Sequence, residues 1–282
     1  MDAVFLALAS AVLFGATTVA MRVAFRRDAL AEGGALFTVL VAIVVVLPVA
    51  ALQGGVTTGV WPFLLAGLLG PGVSQFLFTF AVREAGAART SVVIGMGPLF
   101  SIAIAVILLG EPLEVALVTA AVLIVAGGFL LVSERDRPDH VRVRGLVLAL
   151  VATIVFASRD NLIRWLSVET DAPPPGVAAL ATLAAGAALM MLFVAIGRSP
   201  LRAYDARSFA PAGVLFGLSY ICLFEAYYRG LVTVVSPLVA TESLWGVALA
   251  AIVLGRSERV GPRLVAGAAL VVAGGVLIGV FR

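Results

Sequence analysis

The sequence predicts an all-α integral membrane protein whose ten transmembrane helices form two inverted five-helix repeats. Hydrophobic residues make up 62% of the 282 residues and charged residues 12%, about half the charged share of an ordinary soluble domain. Apolar stretches of roughly 20 residues, each long enough to cross the hydrocarbon core as a helix, follow one another along the chain. Motifs of the first half return in the same order in the second half. These observations exclude a soluble globular enzyme.

Charged residues, glycines and prolines bound the ten apolar stretches, each of which is predicted to be one transmembrane helix. The predicted spans are residues 3–24, 36–52, 61–82, 91–109, 113–132, 145–163, 176–196, 209–228, 231–254 and 263–280. Because the connections are only a few residues long, successive helices are predicted to be antiparallel neighbours. The first stretch resembles those that follow it, so we expect a retained helix rather than a cleaved signal.

The charged segment 134–144 divides the ten spans five and five, which predicts one repeat over residues 1–133 and a second over residues 145–282. Short motifs support this division because they recur in order and at nearly constant spacing. The matched pairs are Phe14-Gly-Ala-Thr-Thr with Phe156-Ala-Ser-Arg-Asp, Pro98-Leu-Phe-Ser with Ser243-Leu-Trp-Gly, Leu108-Leu-Gly-Glu with Val253-Leu-Gly-Arg-Ser-Glu, and Val125-Ala-Gly-Gly with Val272-Ala-Gly-Gly.

Five is an odd number, so the two repeats are expected to lie in opposite orientations across the bilayer, as in many secondary transporters. Arginine placement predicts which end faces the cytoplasm. Most arginines fall in or beside the odd-numbered loops: Arg22, Arg26, Arg27, Arg83, Arg89, Arg135, Arg137, Arg142, Arg144, Arg198, Arg202, Arg207, Arg256, Arg259 and Arg263. The positive-inside rule then places the odd loops in the cytoplasm and both termini outside.

Several kinds of chemistry are excluded by composition. The formal net charge is only +3, with 19 basic and 16 acidic residues, so no nucleic-acid partner is predicted. A single cysteine, Cys222, excludes an internal disulfide and a thiolate metal cluster. The single histidine, His140, lies in the charged segment. We therefore predict no metal and no cofactor, and the chain has no phosphate-binding G-x-x-x-x-G-K-[ST] motif for ATP.

The chain resembles the EamA-like families of the drug/metabolite transporter superfamily. The resemblance rests on Pro98-Leu-Phe, Leu109-Gly-Glu, Glu242, and the glycine-rich fifth and tenth helices. It departs from the family pattern at Ser243, where proline is usual, and at Leu254-Gly-Arg-Ser-Glu, which interrupts the second Leu-Gly-Glu. The resemblance implies carriage of small organic metabolites or drugs, usually outward, driven by protons or exchange. It also implies cytosolic termini, opposite to the arginine count.

Four ionisable residues, Arg159, Asp160, Glu225 and Glu242, fall within predicted helices, where each costs about 2.5–3.5 kcal/mol to insert. Arg159 and Glu242 lie at similar depth, roughly 20 Å and 18 Å from the same face at about 1.5 Å per residue. We expect these two to face each other across a cavity, to bind substrate, and to separate when Glu242 takes up a proton. The alternative is a structural ion pair or snorkelling side chains. Asp160 points about 100° away from Arg159 on the helix, so these two are not expected to pair with each other. Asp160 and Glu225 are interpreted as interfacial carboxylates.

Interrupted helices in matching places of two halves indicate a transporter binding site. Gly95-Met-Gly-Pro98 in the fourth helix and Ser236-Pro237 in the ninth fit this pattern. We therefore predict that Gly97, Pro98 and Pro237 line the substrate site, and that Gly70-Pro71-Gly72 is a further hinge. The alternative is a set of tolerated kinks, because glycine and proline are frequent in membrane helices.

An aromatic stripe follows one face of the eighth helix and includes Tyr220, and Trp245 lies one turn beyond Glu242. Tyr220 and Trp245 are predicted to line the site, because their polar atoms orient planar or amphipathic solutes. Tyr227 is assigned to the interfacial belt. Ordinary core packing is the competing interpretation for all of these aromatic residues.

The sequence thus favours a non-enzymatic secondary carrier and exporter, a multi-pass protein of the cell membrane that works by alternating access around a midplane site. Its partners are a small-molecule substrate and the lipid bilayer. Glycines of the fifth and tenth helices, such as Gly275, are expected to pack the repeats together, which predicts a monomer or a weak homodimer. The alternatives are an intramembrane enzyme acting on lipids or lipid phosphates, and a passive channel. The channel is disfavoured because no selectivity-filter segment is repeated.

Overall fold

The computed structural model describes residues 3–54, 58–100, 103–104, 115–133 and 141–281, and every regular element among them is helical. The first half contains α1 (Ala3–Phe25), α2 (Ala31–Leu52), a 3₁₀ turn (Thr58–Val60), α3 (Trp61–Gly67), a π-helical turn (Leu68–Val73), α4 (Ser74–Ala85), α5 (Ala87–Ile94) and α6 (Val115–Val132). The second half contains α7 (Val143–Glu169), α8 (Pro175–Ile196), α9 (Ala203–Arg229), α10 (Val232–Ala240), α11 (Glu242–Leu254), a 3₁₀ turn (Gly255–Ser257) and α12 (Pro262–Phe281).

Seven helical stretches in the described residues are long and apolar enough to cross a membrane. They are Ala3–Phe25, Ala31–Leu52, Trp61–Ala85, Val143–Glu169, Pro175–Ile196, Ala203–Arg229 and Val234–Ser257, and each overlaps one predicted span. Two shorter apolar helices, Val118–Leu131 and Pro262–Leu277, overlap the fifth and tenth predicted spans. Residues 101–102 and 105–109 of the fourth predicted span, the segment 134–140 with His140, and Glu111 lie outside the described residues.

Large apolar side chains cover the outside of the bundle. Leu52 is 88% exposed, Val115 83%, Ile252 79% and Val44 68%. In water such a surface would be a liability, whereas in a bilayer it is the ordinary lipid-facing surface of a helical bundle. The protein is therefore a multi-pass membrane protein by the composition of its surface as well as by the length of its helices.

The central core lies where α1 and α2 pack along α9, with α8 against α2. Small residues bring these helices close together. The Ser219 hydroxyl donates to the Ser10 carbonyl at 2.9 Å, and the Ser10 hydroxyl lies 3.2 Å from the Ser219 carbonyl. Both serines are fully buried. Hydrogen bonds of this kind between membrane helices fix their register where apolar packing alone would allow sliding.

Gly67 marks the closest approach of α3 to α8. A Cβ atom on Gly67 would lie 2.3 Å from the Thr182 carbonyl oxygen and 2.7 Å from its Cα, so Gly67→Ala must push two backbones apart. We expect a loss of about 1–3 kcal/mol in the free energy of unfolding, measured as a lower thermal midpoint in detergent. Gly275→Ala is the control, because its nearest neighbours are 3.8 Å away. Equal midpoints for the two variants would contradict this packing.

The odd-numbered loops meet at one end of the bundle. The first turn of α9 touches the connection after α1, the first turn of α5 touches the connection after α11, and the segment before α7 contacts the end of α4. The contacts are Tyr204 Oη to Arg27 O at 2.7 Å, Ala88 N to Glu258 Oε2 at 3.4 Å, and Arg142 N to Glu84 O at 2.8 Å. We call this end, with its many arginines, the arginine-rich end.

Candidate functional site: a cavity at two helix breaks

Two helices are interrupted, one in each half of the chain, at positions that the predicted repeat aligns with each other. The helix that begins with α5 stops at Ile94, turns over Gly95 and Met96, and resumes at Gly97. The helix formed by α10 and α11 breaks at Thr241. Aligning Pro98-Leu-Phe-Ser with Ser243-Leu-Trp-Gly places Met96 opposite Thr241. At both breaks, backbone hydrogen bonds join residues three apart instead of four. At the first break, Met96 N donates to Val93 O and Leu99 N to Met96 O, both at 3.0 Å. At the second, Thr241 N donates to Leu238 O at 3.2 Å and Leu244 N to Thr241 O at 3.0 Å.

The second break does not fall at the proline that the sequence suggested. Helix α10 continues through Pro237 and ends at Ala240, because a proline removes one backbone donor without preventing helical dihedrals after it. The helix stops where the Thr241 hydroxyl donates to the Leu238 carbonyl at 2.6 Å. Pro237 was predicted to line the substrate site, but it is buried beside Gly275. Its neighbour Ser236 lines the cavity instead.

A cavity of about 60 Å³ lies between the two breaks, with room for several water-sized groups. Its described lining combines an aromatic and aliphatic wall with a few polar side chains, the usual composition of a small-molecule site. The lining residues are Phe14, Gln75, Phe78, Ile94, Gly97, Pro98, Thr153, Phe156, Ala157, Arg159, Asp160, Leu223, Tyr227, Ser236, Val239, Ala240 and Glu242.

Arg159 is held by neighbours on two helices. Arg159 is 2% exposed. Its Nε donates to Asp160 Oδ1 at 2.8 Å, and its Nη1 donates to the Tyr220 hydroxyl of α9. The guanidinium also lies over the rings of Phe156 and Tyr220, 5.1 Å and 5.3 Å from their centroids. Such stacking stabilises a desolvated cation, so Arg159 enters the cavity with most of its bonding capacity already used.

The expected pairing of Arg159 with Glu242 is therefore wrong, and so is the expectation that Asp160 does not pair with Arg159. The angle of about 100° separates the directions of the Cβ atoms of adjacent helix residues. The arginine side chain is long enough to bend round and reach the carboxylate of the next residue. With little water nearby, the guanidinium takes the nearest carboxylate. Asp160 thus lines the cavity instead of lying at an interface.

A kink next to Arg159 makes room for it. Gly70 has non-helical dihedrals, φ −143° and ψ 118°, within the π-helical turn Leu68–Val73. A Cβ atom there would lie 2.9 Å from Arg159 Cδ and 2.9 Å from Ser74 Oγ. The Gly70-Pro71-Gly72 segment, predicted as a hinge, thus gives the arginine its path to the cavity.

Glu242 is the first residue of α11 and lies directly after the second break. It is 8% exposed and lines the cavity, and it makes no hydrogen bond or ion pair with any residue that the structure describes. The charges of Asp160 and Arg159 both act on it across the cavity. An isolated buried carboxylate is costly unless it binds a proton or a cation.

Two further polar side chains of the cavity lack partners. Both amide atoms of Gln75 and the hydroxyl of Tyr227 are buried without a hydrogen bond to the described residues, and both residues are 0% exposed. The Tyr227 hydroxyl is near the Asp160 carboxylate, although the distance and angle do not complete a hydrogen bond. Buried polar groups are nearly always paired in a folded protein, so these atoms point to a ligand or to water.

Three aromatic residues do not lie where the sequence predicted them. Tyr220 is fully buried behind Arg159 and contacts it without being among the lining residues. Trp245 is 43% exposed on the outside of α11, with its Cβ against Gly15 of α1. Tyr227, assigned to the interfacial belt, lines the cavity.

Sequence reasoning missed Asp160, Gln75 and Tyr227 as cavity residues. Gln75 follows the Gly70-Pro71-Gly72 hinge by one turn, and Tyr227 continues the aromatic stripe of α9. Both signals were available. The pairing of Asp160 had no sequence signal, because it depends on the rotamer of Arg159.

Glu225 has a different environment. It accepts hydrogen bonds from Gln53 Nε2 at 2.8 Å and from Arg229, while Gln53 Oε1 accepts from Gly176 N at 2.7 Å. This chain ties the end of α9 to the first turn of α8, outside the cavity lining. Glu225 is a paired carboxylate at a helix end, with a structural role.

Comparison with known proteins agrees with this architecture. The model of a family described as the EamA-like transporter family matches residues 1–133 and 143–280. No curated protein sequence matches the chain. Among solved structures, one described only as a crystal structure of a protein is similar over 98% of this chain and 95% of its own, with a TM-score of 0.69 and 19% sequence identity. That similarity concerns the fold.

Proposed function

Because the chain belongs to the EamA-like transporter family, and so is a membrane transporter of small molecules, we propose that it is a secondary carrier whose substrate site is the cavity between the two helix breaks. The observation that carries this proposal is that three polar side chains line one buried cavity without partners among the described residues. They are Gln75 and Tyr227 and Glu242. A carrier must bind its solute with groups that are left unpaired when the solute departs.

We propose that ten helices form two inverted repeats. The matching breaks at Met96 and Thr241 support this arrangement. The packing pattern supports it as well: α1 lies along α9 of the second half, and α7, the counterpart of α1, lies along α3 and α4, the counterparts of α9. Such exchange of partners is expected of two interlocked repeats that rock around a midplane site.

Alternating access requires the two ends of the cavity to open in turn. At the arginine-rich end, Glu258 is 0% exposed and accepts a hydrogen bond from Arg22 Nε at 2.8 Å, while Arg89 Nη1 donates to the Glu258 carbonyl at 2.8 Å. These bonds join α1, α5 and the connection after α11, and so they hold this end closed. Opening it exposes these charges to water, which compensates for the broken pairs.

We propose that Glu242 couples transport to protons. Its carboxylate has no cationic partner of its own among the described residues, so an empty site favours the protonated form. The proposal includes export of the solute in exchange for protons. It also places the protein in the cell membrane with the arginine-rich end facing the cytoplasm. The sequence alternative, an enzyme acting on lipids, has no structural observation in its favour.

The test is solute exchange by the purified protein in proteoliposomes. Vesicles preloaded with members of a library of amines, amino acids, nucleosides and sugar derivatives are diluted into radiolabelled solute. A carrier gives saturable uptake that is accelerated by unlabelled solute inside. Uptake that is neither saturable nor accelerated would contradict the carrier and favour a channel.

A further inference from the structure

The charge balance of the cavity points to the chemical class of its solute. Its described lining includes one arginine and two carboxylates. The arginine and one carboxylate, Arg159 and Asp160, are bonded to each other at 2.8 Å. Of the three charged groups in the described lining, Glu242 is the one that is not paired with an opposite charge. When Glu242 is ionised, the described part of the lining carries one negative charge in excess.

Arg159 is poorly placed to bind an anion. Its Nε is used by Asp160 and its Nη1 by Tyr220, and Nη2 lies 2.5 Å from Asp160 Oδ1. A substrate carboxylate that paired with Nε and Nη2 would have to displace Asp160 and leave that carboxylate buried without its partner, which costs several kcal/mol. An anionic or carboxylate-bearing solute is therefore disfavoured by a group already present in the site.

The unpaired groups include the hydrogen-bond acceptors that an ammonium group requires. An ammonium presents hydrogen-bond donors only. Glu242 offers a carboxylate, Gln75 an amide oxygen and Tyr227 a hydroxyl oxygen, and all three line the same cavity. None of these oxygens has a partner among the described residues. The rings of Phe14 and Phe78 complete the wall, and aromatic faces attract cations.

We propose that the solute is a small organic amine, bound as the ammonium ion by Glu242, Gln75 and Tyr227, and that it carries no carboxylate. This inference rests on the carrier proposed above and specifies its substrate. The Arg159–Asp160 pair excludes the zwitterion by occupying the place of the substrate carboxylate, which makes it a specificity device as well as a structural pair.

The experiment compares matched compounds on the purified protein. One series is butylamine, norvaline, pentanoate and butanol, and the other is 2-phenylethylamine, phenylalanine, 3-phenylpropionate and 2-phenylethanol. Each set keeps one hydrocarbon chain, butyl or 2-phenylethyl, and varies only the amine, carboxylate or hydroxyl groups attached to it. Binding is measured by isothermal titration and by the rise in thermal midpoint that a ligand of the folded state produces. We expect the amine of at least one series to bind about tenfold or more tightly than its zwitterion, anion and alcohol.

Two variants test the assigned groups. Glu242→Gln is expected to weaken amine binding about tenfold or more. Gln75→Leu is expected to weaken amine binding while keeping or raising the thermal midpoint, because it removes two unpaired polar atoms from a buried position. A merely structural Gln75 would not give that combination. Glu169→Gln, an exposed carboxylate at the end of α7, is the control and should bind as the wild type does.

Three results would overturn the amine proposal: zwitterion or anion binding at least as tight as that of the amine, amine binding unchanged in Glu242→Gln, or no binding by either series. The proteoliposome exchange assay separates this failure from failure of the carrier. Saturable exchange of any other solute keeps the carrier and rejects the amine, whereas absence of exchange with the whole library rejects both.

Discussion

Glu242→Gln is expected to abolish accumulation driven by a pH gradient while leaving solute exchange measurable. Glutamine keeps the size of the side chain but takes up no proton, so the variant has no means of linking solute movement to proton movement. One pH unit corresponds to about 1.36 kcal/mol, so a carrier coupled to one proton sustains up to about a tenfold solute gradient. The variant should sustain none. The measurement is steady-state solute accumulation in proteoliposomes with an imposed pH difference.

The control for this prediction is Glu169→Gln, which makes the same chemical change on an exposed residue and should accumulate solute normally. The pH profile of exchange provides a second readout. Wild-type exchange is expected to change with pH as protons occupy Glu242, and exchange by Glu242→Gln is expected to lose that component. If the variant accumulates solute as the wild type does, another group carries the proton.

Arg159→Met is expected to cause the largest loss of stability of any single change in the cavity. It leaves Asp160 buried without the guanidinium that neutralises it. Removing one partner of a buried ion pair lowers the free energy of unfolding by about 3–5 kcal/mol. The double variant Arg159→Met with Asp160→Leu removes both charges and should recover most of the thermal midpoint, since apolar residues of similar volume replace buried pairs at little cost.

The two roles of this pair separate in the double variant. If the pair also sets specificity, the double variant folds but distinguishes amines from amino acids less well than the wild type. Thermal midpoints of the wild type, both single variants and the double variant form a double-mutant cycle. Additive effects within a few tenths of a kcal/mol would show that Arg159 and Asp160 do not depend on each other.

The sequence predicted the helical membrane architecture well because that information is local. A run such as residues 176–196 is apolar over the thickness of a bilayer, and α8 spans Pro175–Ile196. The sequence also located one break correctly, at Gly95–Met96, because glycine beside proline weakens a helix. At the other break the proline was misleading: the helix passes through Pro237 and stops at Thr241, where a threonine hydroxyl competes for a backbone carbonyl.

The partners of individual side chains were not predictable in the same way. Depth along a helix predicted that Arg159 and Glu242 lie at one level, and both line the same cavity. Depth does not say which way a long side chain turns, so the pairing of Arg159 with Asp160 was missed. The exposure of Trp245 depends likewise on helix rotation, which is decided by the fit of Gly15 and Gly246 between α1 and α11.

The central claim, that solute binds in the cavity between the helix breaks, can be tested by substrate protection of a single cysteine. In a Cys222→Ser background, Ser236→Cys places the thiol among the cavity residues, and Ser199→Cys places it in the loop after α8. Reaction of each thiol with a methanethiosulfonate reagent is timed with and without the solute that exchanges fastest in proteoliposomes. We expect the solute to slow reaction at Ser236→Cys and to leave Ser199→Cys unchanged. Equal rates at Ser236→Cys with and without a saturating solute would contradict the claim.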